Sequence, residues 1–304
     1  WPKLGNEISK SFIQVVTQFL EHTPRTANQL GIFCSALLCN TDALHPEQVQ
    51  LCFDTIRKWI GILQQDKFEP LNGLLPDSWC HEVFIEATHK ILHQDDYQVV
   101  CVLLTFILHH AHLFQDGLRL SVIRDILIKE NFRSLFCHWN PVVRKYFHWV
   151  ILYTTNRVGF YDEEDLSQTP KQNKPEIVEN AKKLKIIFNH IYQIVPKKEG
   201  NNKKDEKVVW KYTDMSMQQR LDTDNDIMTA LAVEVINLNN HRDATSVQYR
   251  HYVTPAFHEF LDACDEYKEI QLSKKPHRLG DVGIPTLGYC VLTKQDLDEK
   301  DKIS

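Results

Sequence analysis

The sequence predicts an all-α fold of stacked antiparallel helical hairpins with a non-helical C-terminal tail, and three observations predict it. Glycine is scarce, ten of 304 residues against roughly 7% in ordinary chains, so the turns and phosphate-cradling loops of nucleotide-binding α/β folds have few residues to form them. Apolar residues recur at helical spacing in run after run. The polar breaks between these runs are short, which places consecutive helices as antiparallel neighbours. The balance of 43% apolar and 25% charged residues is that of a soluble globular chain with a sizeable core, and it excludes wholesale disorder or a fibrous repeat.

The elements follow in order. Ile8, Phe12, Val15, Val16, Phe19 and Leu20 make the stripe of an amphipathic helix that Pro24 stops. Residues 27–38 are apolar nearly all round, which predicts burial on more than one side. Pro46 suits a first helical turn and precedes Val49, Phe53, Ile56, Ile60 and Leu63, in a helix ending near Asp66. Asp77 is a cap for a fourth helix carrying Val83, Phe84, Ala87 and Ile91, and Asp95 or Asp96 for a fifth. That fifth helix holds the longest apolar run, ten residues from Val99 to Leu108, well short of the roughly 20 that span a membrane. Leu120, Ile123, Leu127 and Ile128 form a sixth stripe, and Asn140-Pro141 opens a seventh helix with Val143, Phe147, Val150 and Ile151. Residues 1–160 thus read as one helical stack.

The stretch from Trp139 to Phe147, with Asn140-Pro141 leading into Val143-Arg144, resembles the intra-repeat turn of HEAT repeats. Asp95 to Val100 echoes it without the arginine, and His45 to Val49 echoes it more faintly. Val49, Val99 and Val142 are spaced close to the roughly 40 to 47 residues of a HEAT or armadillo period. The resemblance implies a helical-repeat scaffold in which Arg144 ties the repeat together by hydrogen-bonding a neighbouring turn's backbone or a carboxylate. An irregular all-α domain built by the same packing rules is the alternative.

Beyond residue 160 the character changes. Residues 161–175 are acidic and polar with two prolines, a surface linker. Residues 176–272 read as further helices: 176–194, one capped by Asp224 to Asp226, and one from about 246 to 270 through Pro255. They enclose a polar loop at 196–207 with almost nothing apolar to bury. Residues 273–304, broken by Gly280, Gly283, Pro285 and Gly288, make an extended tail whose Leu287 and Tyr289 must lie against this chain or a partner.

No catalytic signature is present: there is no P-loop, Gly-x-Ser-x-Gly, G-x-G-x-x-G or kinase motif, and the chain reads as non-enzymatic without cofactor. Glu82 with Glu86, and Glu259 with Asp262, share helix faces as any solvated helix does. The 15 histidines and eight cysteines show no paired zinc spacing, because adjacent helical residues such as Cys80-His81 diverge and His89 with His93 lacks the metalloprotease glutamate. No metal is expected. Asp222 to Asp226 begins like a calcium loop but has Ile227 and Val233 where glycine and glutamate belong. The scattered cysteines, with no disulfide framework, read as buried free thiols of a reducing compartment, cytoplasm or nucleus.

What remains is surface. Aromatic residues crowd 132–153, and Trp139, Tyr146 and Trp149 are candidate anchors for a protein partner, with Leu287 and Tyr289 in the tail. The expected function is therefore a scaffold for other protein chains, a subunit of a larger assembly or a section of a longer chain. The second reading is an adaptor for nucleic-acid phosphates or an anionic membrane surface, through Lys182, Lys183, Lys185, Lys274, Lys275 and Arg278 in segments 182–207 and 274–278. With 35 basic against 40 acidic residues, any such basic patch is local.

Overall fold

A computed structural model describes residues 2–22, 29–63, 75–76, 79–94, 96–155, 159–161, 209–211, 217–240 and 247–273. These residues are overwhelmingly helical, so the chain is all-α. The helices are α1 (Pro2–His22), α2 (Leu30–Cys39), α3 (Pro46–Leu63), α4 (His81–His93), α5 (Tyr97–His110), α6 (Asp116–Arg119), α7 (Phe132–Phe136), α8 (Pro141–Thr155), α9 (Met217–Asn240) and α10 (Val247–Ser273). The expected loop 196–207, tail 274–304, linker beyond Tyr161 and helix 176–194 lie outside the described residues. So does Asp77.

The described residues form two compact units, one up to Phe106 and one from Ile107. The division falls within α5, and not in the polar run near residue 161 where composition places it. The reason is that α9 and α10 pack onto α6, α7, α8 and the segment between them.

In the first unit, α1 packs on α3, and α2 on both α3 and α4. Asp96 caps α5 through its Oδ1, which accepts from the Gln98 and Val99 amides at 2.8 and 3.4 Å. The centre is aromatic: the Phe53 and Phe106 rings lie 4.9 Å apart, with Phe84 at 5.7 Å from Phe106. Buried Trp59 on α3 donates its indole N–H to Thr17 Oγ1 on α1 at 3.0 Å, giving that polar atom the partner burial demands. Gly61 is the loose position of α3: nothing lies within 4 Å of where its Cβ would stand. Gly61→Ala should raise stability by about 0.5–1 kcal/mol, because it removes backbone freedom from the unfolded chain without a clash. A thermal melt reads this directly, and an unchanged or lowered midpoint contradicts it.

The second unit departs from the expected sixth helix. After α6 the backbone widens into a π-helical segment, Leu120–Glu130, whose end is marked by the i to i+5 bond from the Asn131 amide to the Ile126 carbonyl at 3.1 Å. The side chains account for it. An α register carried on from buried Leu118 would bring Asp125, seven residues on, to the buried side. With roughly 4.4 residues per turn, Leu118, Val122, Ile123 and Leu127 share the inner face, and Ser121, Arg124, Asp125 and Lys129 turn away from it. The first four are buried and the last four are not. Arg124 then meets Asp125 at 2.8 Å and Asp226 of α9 at 3.4 Å.

Helix α9 begins at Met217, so Asp224 to Asp226 sit inside it and do not cap it. The helix-favouring run Met217 to Leu221 carries it further back than the acidic signal suggests. Its stripe of Ile227, Leu231, Val235 and Leu238 is buried. Helix α10 runs unbroken past Pro255. A pair of three-residue strands, β1 (Gly159–Tyr161) and β2 (Val209–Lys211), is antiparallel with Phe160 opposite Trp210. Residue 161, expected in a linker, is in β1.

Candidate interaction surface

The turn that leads into α8 is built from Asn140 outward. Its Oδ1 accepts from the Val142 amide at 2.8 Å, capping α8, and its own amide donates to His138 Nδ1 at 3.0 Å. Pro141 fills the first helical position, where an amide has no partner to lose. One turn on, buried Arg144 reaches back. Its Nη1 donates to the His138 and Trp139 carbonyls at 2.5 and 3.2 Å, while Nε and Nη2 form a fork on Glu259 of α10 at 2.7 and 2.6 Å. The guanidinium also lies 5.7 Å from the Tyr252 ring centre. A planar five-donor group is what this site requires, and lysine has no equivalent geometry.

The aromatic anchors separate. Trp139, in the turn, is 49% exposed, with its ring 5.5 Å from that of His138. Tyr146 and Trp149 are buried, a correction to their expected place on a surface. The Trp149 ring lies 5.3 Å from Tyr153, which meets Tyr267 of α10 at 4.8 Å. Burial raises the Tyr153 hydroxyl above its ordinary pKa, with the Glu266 charge adding to the effect. Leu287, Tyr289, Lys182, Lys183, Lys185, Lys274, Lys275 and Arg278 lie outside the described residues.

A surface that was not expected lies on the first unit. Ile32 of α2 is 66% exposed, Val15 of α1 63% and Phe19 of α1 38%. Val15 and Phe19 stand one turn apart on one side of α1. The Phe19 ring is 6.0 Å from Phe33, the residue after Ile32. The Phe19–Phe33 contact joins α1 to α2, and Val15, Phe19 and Ile32 are the large apolar side chains exposed on these two helices. The trace of this surface in the sequence was excess width, since the α1 stripe includes both Val15 and Val16, which one helix face does not bury together. Likewise α2 is not buried all round: Ile32 and Cys39 are exposed.

Other candidates have ordinary partners. Glu86 pairs with Lys90 at 2.6 Å on α4, and His93 Nδ1 meets the His89 carbonyl at 2.8 Å. Among the described residues, no group of three or more His, Cys, Asp or Glu is placed to hold a metal ion, and no helix is long and apolar enough to cross a membrane.

With this geometry in hand, a family model described as a protein of unknown function, DUF1765, matches residues 30–155. The matched segment starts on the first residue of α2 and ends on the last of α8. It contains Arg144 but not Glu259. No curated protein and no solved structure matches the chain.

Proposed function

We propose that the chain is a non-enzymatic, HEAT-like scaffold that binds another protein chain within a larger assembly, in the cytoplasm or nucleus. The observation that supports this reading best is the exposure of Val15, Phe19 and Ile32. Single exposed apolar residues are normal, but three large ones on two helices that meet at Phe19 and Phe33 fit a surface that a partner covers. Behind Val15 and Ile32, Trp59, Phe33 and Phe19 make a chain of edge-to-face ring contacts, an arrangement that favours a surface held in place before binding. Trp139 offers a second exposed anchor in the other unit.

Val15→Asp with Ile32→Asp tests it. Both positions are exposed, so the double variant should fold with a melting temperature close to that of the parent. Chains that cross-link to the parent protein in cells should be lost from the variant. Complexes rebuilt from purified components should survive a rise from about 50 to 200 mM salt, whereas phosphate binding would collapse over that range. An unchanged set of cross-linked chains would remove this surface from the proposal, and a steep salt dependence would favour the phosphate-binding alternative.

A further inference from the structure

Helix α10 carries a proline in its interior, and the parts on either side of it are held very differently. Pro255 stands two turns into the helix. It has no amide to donate to the His251 carbonyl, and its ring crowds that carbonyl, so the helix lacks one rung of its own ladder there. Interior prolines are where helices bend.

The part after Pro255 is well anchored. Ala256, Phe257, Phe260, Ala263, Cys264 and Tyr267 are buried, with the rings of Phe257 and Phe260 at 5.1 and 5.7 Å from Phe136 of α7 and that of Tyr267 at 4.8 Å from Tyr153 of α8. The part before it is not. Of residues 249–254, Val253 alone is buried, while Tyr249 and Tyr252 are half-buried and Arg250, His251 and Thr254 are exposed. Few buried apolar contacts mark the segments that open before the rest of a domain.

A side chain from another helix joins the two parts. Arg144 of α8 lies 5.7 Å from the Tyr252 ring centre on one side of Pro255 and forks onto Glu259 at 2.6 and 2.7 Å on the other. The two contacts are unequal, because a bidentate charged pair holds more firmly than a cation over a half-buried ring. The same guanidinium donates to the His138 and Trp139 carbonyls, so Tyr252 lies beside the turn that leads into α8.

We propose that residues 247–254 are a strap hinged at Pro255, which opens while the rest of α10 stays docked. Opening lifts Tyr252 from the Arg144 guanidinium and brings Val253 into water. The Glu259 fork, on the far side of the hinge, stays closed. The strap thereby controls what surrounds Trp139, the exposed aromatic residue of that turn. It belongs to the second unit alone and does not depend on the surface of Val15, Phe19 and Ile32.

Hydrogen exchange of the parent protein is the first test. An eight-residue helix freed from its packing does not persist in water, so the amides of residues 251–254, whose helical acceptors lie within the strap, should exchange about tenfold faster or more than those of residues 259–264. Exchange that is even along α10 would overturn the strap. Val253→Cys in the full chain is the second test, with native Cys264 as a reference: both positions are buried on α10, one on each side of Pro255. Folded protein is alkylated with iodoacetamide for graded times and digested with trypsin and Glu-C, which place the two positions in separate peptides, and each rate is divided by its value in urea. Position 253 should react about tenfold faster or more than Cys264. Adding Pro255→Ala, which returns an amide to the His251 carbonyl, should draw the two rates together, and adding Tyr252→Ala should spread them further. A difference that Pro255→Ala leaves unchanged would overturn the assignment of the hinge.

Discussion

Glu259→Ala should destabilise the second unit by about 2–3 kcal/mol, although it removes a single side chain that is about one-third exposed. The reason lies with its partner. The Arg144 side chain is 6% exposed against 36% for Glu259, and removing one member of a buried pair leaves the other desolvated without a counter-charge. The guanidinium would keep its two carbonyl acceptors but lose the fork on the carboxylate. Arg144→Met should cost about as much by a different route: Glu259 regains water, while the His138 and Trp139 carbonyls lose a donor inside the turn. The double variant should be less damaged than the sum of the two, with a coupling of about 1.5–3 kcal/mol. Native-state hydrogen exchange locates the effect. Amides of α8 and α10 should open more readily in each variant while those of α1 to α4 keep their protection. Additive costs, or exchange that rises equally in both units, would show that the fork carries no stability of its own.

The same pair shows what a linear reading gains and loses. Arg144, the Asn140-Pro141 start and the Asp96 cap were legible because each is local: capping acts over two or three residues, and the turn before α8 carries its own arginine. Glu259 was visible only as one more acid on a helix face, since nothing nearby reveals that α10 returns to cover α8. The burial of Tyr146 and Trp149 was missed because the local sequence does not show which elements return to α8; at Tyr153 the cover is Tyr267, more than a hundred residues away. The π-helical segment was hidden differently. Ile123 and Leu127 satisfy both a 3.6- and a 4.4-residue period, and only the need to keep Asp125 out of the core separates the two. The start of α9 was displaced because Asp224 to Asp226 look like a cap while Met217 to Leu221 are good helix formers, and propensity over several residues prevailed. The exposed apolar side chains on α1 and α2 left a trace in stripes too wide for one face, a pattern that buried helices share.

Acid should weaken the second unit well before its carboxylates account for the loss, and His148 is the cause. Its imidazole is fully buried on α8, with the Phe136 ring at 4.8 Å and the Phe260 ring at 5.2 Å, and neither ring nitrogen has a hydrogen-bond partner among the described residues. Burial, with the positive charge of Arg144 adding to it, pushes its pKa down to about 3. Glu259, on the helix packed against it, is already engaged by that arginine. In the unfolded chain the same imidazole titrates near 6.5. Below pH 6.5 the unfolded state therefore binds a proton that the folded state refuses, so stability that is fully present above pH 6.5 drains away as the pH falls toward 3. The slope from this residue alone reaches about 1.4 kcal/mol per pH unit. His148→Met, which places an adaptable apolar chain of similar bulk between the two phenylalanines, should abolish that contribution. Urea midpoints followed by near-UV circular dichroism at pH 7.5, 6, 5 and 4 give the comparison. Parent and variant should diverge steadily below pH 6.5, the variant gaining about 3 kcal/mol relative to the parent by pH 4. Parallel curves would mean that His148 is protonated within the fold, and that the ring is solvated or paired where the structure leaves it dry.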